Sequence, residues 1–287
     1  MHDPDLYCVI GHPVAHSRSP WIHARFAELT GQAMRYERCL APLDGFAATL
    51  AAERARGLRG CNVTVPFKHE AAALADVKSA AVELAGAANT LRFTDDGRIL
   101  ADNTDGAGLV ADLTRNAGVA LAGCDLLLLG AGGAAAGVLA PLLRERPRRL
   151  VLANRTLSRA EELVARHAGL AAAAGTDLLA CALDDTRLRV GFDVLVNATA
   201  SSLAGDAVPV TTAALRPGAL ALDMMYGAAA HGFLHWATQH GARARDGLGM
   251  LVEQAAEAFQ LWRGVRPPSA QVLAELRAVV DAEAAQR

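Results

Sequence analysis

Apolar positions along this chain recur in two periods. Short apolar runs at Leu6–Ile10, Met34–Leu40, Gly60–Val65, Leu126–Leu129, Leu150–Ala153, Asp193–Asn197 and Ala219–Met224 read as strands. Between them apolar residues return every three or four positions. Ser19 before Pro20 reads as a helix cap with proline at the first helical position, and Ile22, Phe26 and Leu29 follow on one face. Leu43–Ala55, Val77–Leu84, Leu109–Leu113, Ala134–Leu143 and Leu157–His167 are also predicted helices, and Asn89–Phe93 is extended before a turn at Asp95-Asp96-Gly97. This alternation predicts an α/β fold with mostly parallel sheets. From Gly247 the pattern changes to long helices: Leu251, Ala255, Ala258, Phe259 and Trp262 form one stripe, and Val272–Val279 carries another.

At 287 residues the chain exceeds one typical domain, so two cores are expected. We place residues 106–246 in a Rossmann-like nucleotide domain. Residues 1–105, joined by the returning helices of 247–287, form a substrate domain. The net charge of −2 argues against a nucleic-acid or membrane-surface partner. No apolar stretch approaches ~20 residues and no leader-like segment opens the chain, so a cytoplasmic protein without a membrane span is expected. Cysteines 8, 39, 61, 124 and 181 lack metal-ligand spacing, as do the histidines. They read as reduced core thiols, and no metal site is expected.

The chain's central feature is the run LLLLGAGGAA over Leu126–Ala135. Its glycines, Gly130, Gly132 and Gly133 with Ala131, Ala134 and Ala135, have the spacing G-x-G-x-x-A. That spacing gives a tight turn, close backbone approach for a pyrophosphate, and a helix N-terminus offering N–H groups. Glycine turns between strand and helix are common, so the next strand decides the reading. It ends in Asn154-Arg155-Thr156, where a carboxylate for ribose hydroxyls is usual, and Arg159 follows one turn on. Guanidinium groups there suit a phosphate dianion, favouring NADP over NAD; the alternative is a solvated arginine. Strand ends on this edge line the ligand crevice, which brings Thr199 and Met224 near the cofactor.

In the first domain Asn62 and Thr64 share one face at a strand end, where a polyhydroxylated ligand would satisfy them as well as a turn would. Lys68 falls in the first turn of a helix begun by Pro66, where the helix dipole disfavours an ammonium, the direction that proton transfer requires. Asp105 reads either as a helix cap or as the partner of Lys68 on a substrate hydroxyl. Gln254 lies on an apolar stripe and needs hydrogen bonds from a ligand or a loop carbonyl. Ser17 and Ser19 at a helix start make a plausible carboxylate seat.

Taken in order, Tyr7–Pro20 (YCVIGHPVAHSRSP), Asn62–Lys68 (NVTVPFK), Gly86–Leu91 (GAANTL), Asp102–Gly106 (DNTDG), Gly130–Ala134 with Asn154–Arg159 (NRTLSR), and Asp246–Gln254 (DGLGMLVEQ) resemble shikimate dehydrogenases over nearly the whole chain. The resemblance implies an NADP-dependent oxidoreductase that reduces 3-dehydroshikimate to shikimate, as a monomer or homodimer. It implies that Lys68 is the acid/base residue and Asp105 its partner. Ser17 and Ser19, with Thr64 and Tyr226, would hold the substrate carboxylate, and Asn89 and Gln254 the ring hydroxyls. It further implies that Gly130–Ala134 cradle the pyrophosphate and that Asn154, Arg155, Thr156 and Arg159 take the 2′-phosphate. Met224, Gly247 and Met250 would lie at the nicotinamide. Two departures stand out: His12 where the family often has asparagine, and GAAAHG over Gly227–Gly232 where a proline-containing loop is usual, which suggests a floppier loop. A quinate dehydrogenase of the same architecture and a silent dinucleotide-binding relative are the rival readings.

Overall fold

The computed structural model describes residues 3–204 and 207–286. It divides into two compact units, Met1–Gly108 with Val252–Leu276 and Leu109–Leu251 with Arg277–Arg287. The sequence boundaries at 105 and 247 thus lie a few residues from these. The end of the chain groups with the second unit, where Arg277 donates to Asp246 at 2.8 Å.

The first unit is built on β1 (Asp5–Gly11), α1 (Ser19–Thr30), β2 (Met34–Leu40), α2 (Phe46–Ala55), β3 (Leu58–Val63), α3 (Lys68–Ala73), β4 (Val77–Lys78), α4 (Ala80–Ala85), β5 (Thr90–Phe93), β6 (Ile99–Asp102) and the start of α5 (Asp105–Ala111). Its strand order is β2-β1-β3-β5-β6-β4. The sheet is parallel from β2 to β3, whereas β5 runs antiparallel to both its neighbours because the turn at Asp95–Gly97 folds it back on β6. Val77–Leu84 is not one helix: Val77 and Lys78 pair with β6, and the Ser79 hydroxyl then caps α4 through Val82 N–H at 3.3 Å. Helix α1 also starts differently from expectation. Arg18 is its cap, Ser19 already lies in the first turn, and the Ser17 hydroxyl accepts from Ser19 N–H at 3.2 Å. Alternation along β1 sends Cys8 and Ile10 to one core and Tyr7 and Val9 to the other.

The second unit contains β7 (Asp125–Leu129), α6 (Gly133–Arg144), β8 (Arg149–Ala153), α7 (Leu157–Ala174), β9 (Asp177–Cys181), β10 (Phe192–Asn197), α8 (Ser201–Ala204), β11 (Leu215–Asp223), α9 (His231–Gln239) and β12 (Arg243–Arg245). All its strands are parallel, in the order β12-β11-β10-β7-β8-β9. This is the doubly wound order that reverses beside the first strand, where such sheets bind dinucleotides. Leu126 and Leu128 enter one core and Leu127 and Leu129 the other. Burial on both faces is why the run is uninterrupted, at about 2 kcal/mol of transfer free energy for each leucine. The chain ends in α10 (Leu248–Arg263) and α11 (Ser269–Ala285).

Candidate active site

In the first unit a polar cluster forms where β3, β5, β6 and α5 bring their ends together. Lys68 Nζ lies 2.5 Å from Asp105 Oδ2, with the two side chains 22 % and 10 % exposed. One carboxylate oxygen is therefore committed to the amine, and Asp105 is itself the first residue of α5, its own N–H donating to Asn103 Oδ1 at 3.2 Å. The reading of Asp105 as a plain helix cap falls on this point. The other carboxylate oxygen, Oδ1, accepts from Asn89 Nδ2 at 2.7 Å.

Asn89 is the hub. Its Nδ2 also reaches Thr104 Oγ1 at 3.0 Å and Gln254 Oε1 at 3.3 Å, and its Oδ1 accepts from Thr104 N–H at 2.8 Å. Gln254 thus sits on the buried side of α10 with polar partners, as its place on an apolar stripe requires. Asn62 is close by but differently used: Oδ1 accepts from Tyr36 Oη–H at 2.7 Å, and Nδ2 donates to Asn89 O at 3.2 Å and Thr90 Oγ1 at 3.1 Å. Both its N–H groups are consumed inside the protein, leaving a ligand only one acceptor lone pair. Thr64, next along, is half-buried after β3, with its methyl against Gly11. Ser17 is half-buried and Ser19 buried at the start of α1, and Arg38 fixes this loop by donating to Ser17 O at 2.6 and 3.1 Å. His12 supports the adjoining turn through Nδ1 and Ala41 O at 2.8 Å. Tyr36, Thr90 and Thr104 were not singled out from the sequence. The visible signal for Tyr36 is an aromatic ring between the charged Arg35 and Glu37 in the strand MRYERCL.

In the second unit β7 runs into Gly130, whose φ of +100° an L side chain rarely adopts. Gly132 caps α6, and a Cβ built on it would meet only open space. Asn154 Oδ1 accepts from Ala131 N–H at 3.2 Å while Nδ2 donates to Thr156 O at 2.8 Å, so this side chain ties the glycine turn to the end of β8. Thr156 caps α7. Arg155 and Arg159 are exposed, and among the described residues neither guanidinium has a hydrogen bond or ion pair. The Thr199 hydroxyl is occupied by Asn197 Oδ1 at 2.7 Å and Ser201 Oγ at 2.5 Å.

Met224 is half-buried after β11. A Cβ on Gly247 would lie 2.2 Å from the Met224 carbonyl oxygen, so only glycine fits there. Met250 is buried in the same core that Met224 borders. Tyr226 is half-buried before a 3₁₀ turn, Gly227–Ala230, that leads straight into α9. The segment Gly227–Gly232, where a floppier loop is expected, thus takes up helical turns, because three alanines and a histidine follow its first glycine and can all turn helically. Nearby, burial raises the Asp223 carboxyl above its ordinary value, against hydrogen bonds from Ser202, Met225 N–H and Asn197. Among the described residues no three His, Cys, Asp or Glu side chains gather to hold a metal. The five cysteines are free thiols.

A shikimate dehydrogenase (NADP(+)) from Acidovorax sp. (strain JS42) is 68% identical to this chain, over 98% of each protein. The chain belongs to the shikimate dehydrogenase family. Residues 9–91 match the family's substrate binding domain, residues 112–205 the family described as shikimate / quinate 5-dehydrogenase, and residues 247–277 its C-terminal domain. Among solved structures, an Ael1 enzyme from Pseudomonas putida is 43% identical with a TM-score of 0.87, covering 95% of this chain and 98% of that one. Shikimate 5-dehydrogenase from Thermus thermophilus, in complex with NADP(H) and shikimate, is 31% identical with a TM-score of 0.78, covering 96% and 99%.

Proposed function

We propose that this family member catalyses the NADP-dependent interconversion of 3-dehydroshikimate and shikimate, with Lys68 and Asp105 as its proton-transfer pair. The observation that carries the assignment of residues is the 2.5 Å contact between Lys68 Nζ and Asp105 Oδ2 inside a cluster of neutral hydrogen-bonding groups. The names of its close relative and of the Thermus enzyme's ligands supply the substrate and the cofactor.

NADP suits the residues present: a glycine turn at positive φ before a helix N-terminus, and two unpartnered guanidinium groups where a ribose-binding carboxylate is absent. Gly130, Ala131, Gly132, Gly133 and Ala134 would hold the pyrophosphate, with Asn154 bracing their turn. Arg155, Thr156 and Arg159 would hold the 2′-phosphate, and Thr199, Met224, Gly247 and Met250 the remainder. Bound NADPH supplies the hydride. Lys68 donates its proton to the carbonyl oxygen as the new C–H bond forms, and takes a hydroxyl proton in the reverse direction. Asp105 keeps the amine aimed and accepts a neighbouring substrate hydroxyl. Asn89 and Gln254 orient ring hydroxyls, Asn62 accepts through its one open lone pair, and Ser17, Ser19 and Thr64 seat the carboxylate. Free thiols and the lack of any helix long enough to cross a membrane, among the described residues, fit a cytoplasmic biosynthetic enzyme.

Initial rates of nicotinamide reduction test this reading with shikimate and quinate, each with NADP and NAD. Shikimate with NADP gives the highest kcat/KM; absence of turnover with shikimate overturns the proposal.

A further inference from the structure

Tyr36 lies on β2, two strands away from Asn62 on β3, with β1 between them. Two strand spacings are about 9.6 Å, so only a long side chain can span them. The tyrosine does, on the face that Tyr7 and Val9 share, and its hydroxyl ends 2.7 Å from Asn62 Oδ1.

The direction of each bond beyond that point is fixed by groups that have no choice. Asn89 O is a backbone carbonyl and can only accept, so the atom facing it is Asn62 Nδ2; Asn62 Oδ1 therefore faces Tyr36, and the phenol donates. Burial pushes the ionisation of Tyr36 up, against a hydrogen bond with the Ser19 side chain that pulls it down, and this keeps the proton in place. Thr90 Oγ1 accepts the second Asn62 N–H at 3.1 Å and has two neighbours for its own hydrogen; it donates to Asn89 Oδ1, the nearer at 2.9 Å, with Thr104 Oγ1 at 3.3 Å. Asn89 Oδ1 also accepts the Thr104 backbone N–H, so its amide cannot be reversed, and Nδ2 must point at Asp105. Every donor thus points the same way, from Tyr36 through Asn62, Thr90 and Asn89 to the Asp105 carboxylate that holds Lys68.

We propose that Tyr36 is a positioning residue for the proton-transfer pair, acting through this one-way hydrogen-bond chain. Chains whose dipoles align strengthen one another, so the bond that Asn89 makes to Asp105 depends on the hydroxyl at the far end. Without it, Asn62 Oδ1 loses its partner, the amide is free to rotate, and the orientation of Thr90 and Asn89 is no longer dictated. The inference rests on the roles given above to Lys68 and Asp105.

The test is a double-mutant cycle on shikimate oxidation with NADP, using Tyr36→Phe, Thr90→Val and the combination, with Thr90→Ser as the conservative variant. Tyr36→Phe keeps the ring and its packing and removes one oxygen. Each single change lowers kcat about tenfold, equivalent to about 1.4 kcal/mol, with the KM for NADP unchanged. Because both cut the same chain, the double variant also loses about tenfold and not the hundredfold of independent sites. Thr90→Ser restores the wild-type rate. Wild-type kcat in Tyr36→Phe, a hundredfold loss in the double variant, or failure of Thr90→Ser to rescue overturns the inference. Lys68→Ala assayed alongside separates the two levels: an active wild type, an inactive Lys68→Ala and an unaffected Tyr36→Phe remove this inference alone, whereas a wild type inactive on shikimate removes the functional reading beneath it.

Discussion

In the first unit the Asn89 amide is bonded to Thr104, Asp105 and Gln254, and the Asp105 carboxylate holds Lys68. In the second unit the guanidinium groups of Arg155 and Arg159 stand exposed, with no hydrogen bond or ion pair among the described residues. The contrast matches the roles proposed for each set. A proton-transfer pair must be held to a fraction of an ångström before the substrate arrives, because its value lies in orientation. A phosphate dianion can be gathered by mobile cations whose charge alone attracts it, and its own oxygens then organise them. Thus the substrate unit has a preassembled site and the nucleotide unit an open one, and changes in the two should fail in different ways.

Lys68→Ala breaks the comparison most severely. It should lower kcat by about three orders of magnitude, the scale of a lost general acid–base, while the KM values for shikimate and NADP stay within a few-fold of wild type. Steady-state kinetics in both substrates decides it; loss of shikimate affinity with kcat preserved would make Lys68 a binding residue. Asp105→Asn should act on the same parameter, since it removes the charge that holds the amine.

Replacing the open arginines should show the opposite signature. Arg155→Ala with Arg159→Ala should raise the KM for NADP about 10- to 100-fold, as expected for charge-assisted bonds of about 1.5–3 kcal/mol, with kcat and the KM for NAD little altered. Since these side chains are exposed, added salt should weaken NADP binding to the wild type and have much less effect on the variant. Equal loss with both cofactors would show that the arginines serve the fold and not the phosphate.

The same contrast governs what could be read from the sequence. The strands β7 and β8 were legible because burial on both faces leaves an apolar run, and the glycine turn because its spacing is set by local geometry. Strand β12, Arg-Ala-Arg, was not, since an edge strand needs little hydrophobicity and is defined by its pairing with β11. Val77–Leu84 read as one helix because two residues of pairing with β6 leave no periodic trace. At the site, Arg155 announced itself by standing where an acid is usual. Lys68, by contrast, stands out through the resemblance to a family, and Tyr36 and Thr90 leave no local trace because their partners are determined by cross-strand register. Open sites are written in local spacing; preassembled ones are written in tertiary contacts.

A smaller effect sharpens the account of the preassembled side. His23, on α1, has no exposed surface, and among the described residues neither ring nitrogen has a hydrogen-bond partner. It stacks on Tyr36 with ring centroids 4.2 Å apart and 6° between planes, and Phe26, Phe259 and Trp262 surround it. Burial pulls its titration down from 6.5 to about 3, so the folded protein keeps the ring neutral where the unfolded chain protonates it. The unfolded state then binds more protons than the native state between about pH 6.5 and pH 3, and stability must fall as the pH is lowered through that window. One such group costs about 2 kcal/mol between pH 7 and pH 5. His23→Phe should retain the stack, relieve two unpaired nitrogens, and be more stable than wild type by about 1 kcal/mol at neutral pH and by more in acid. Denaturant unfolding of both proteins at the two pH values measures the difference. Parallel losses of stability would mean that this ring takes up its proton equally in both states, and that the wall behind Tyr36 is less closed than its stacking indicates.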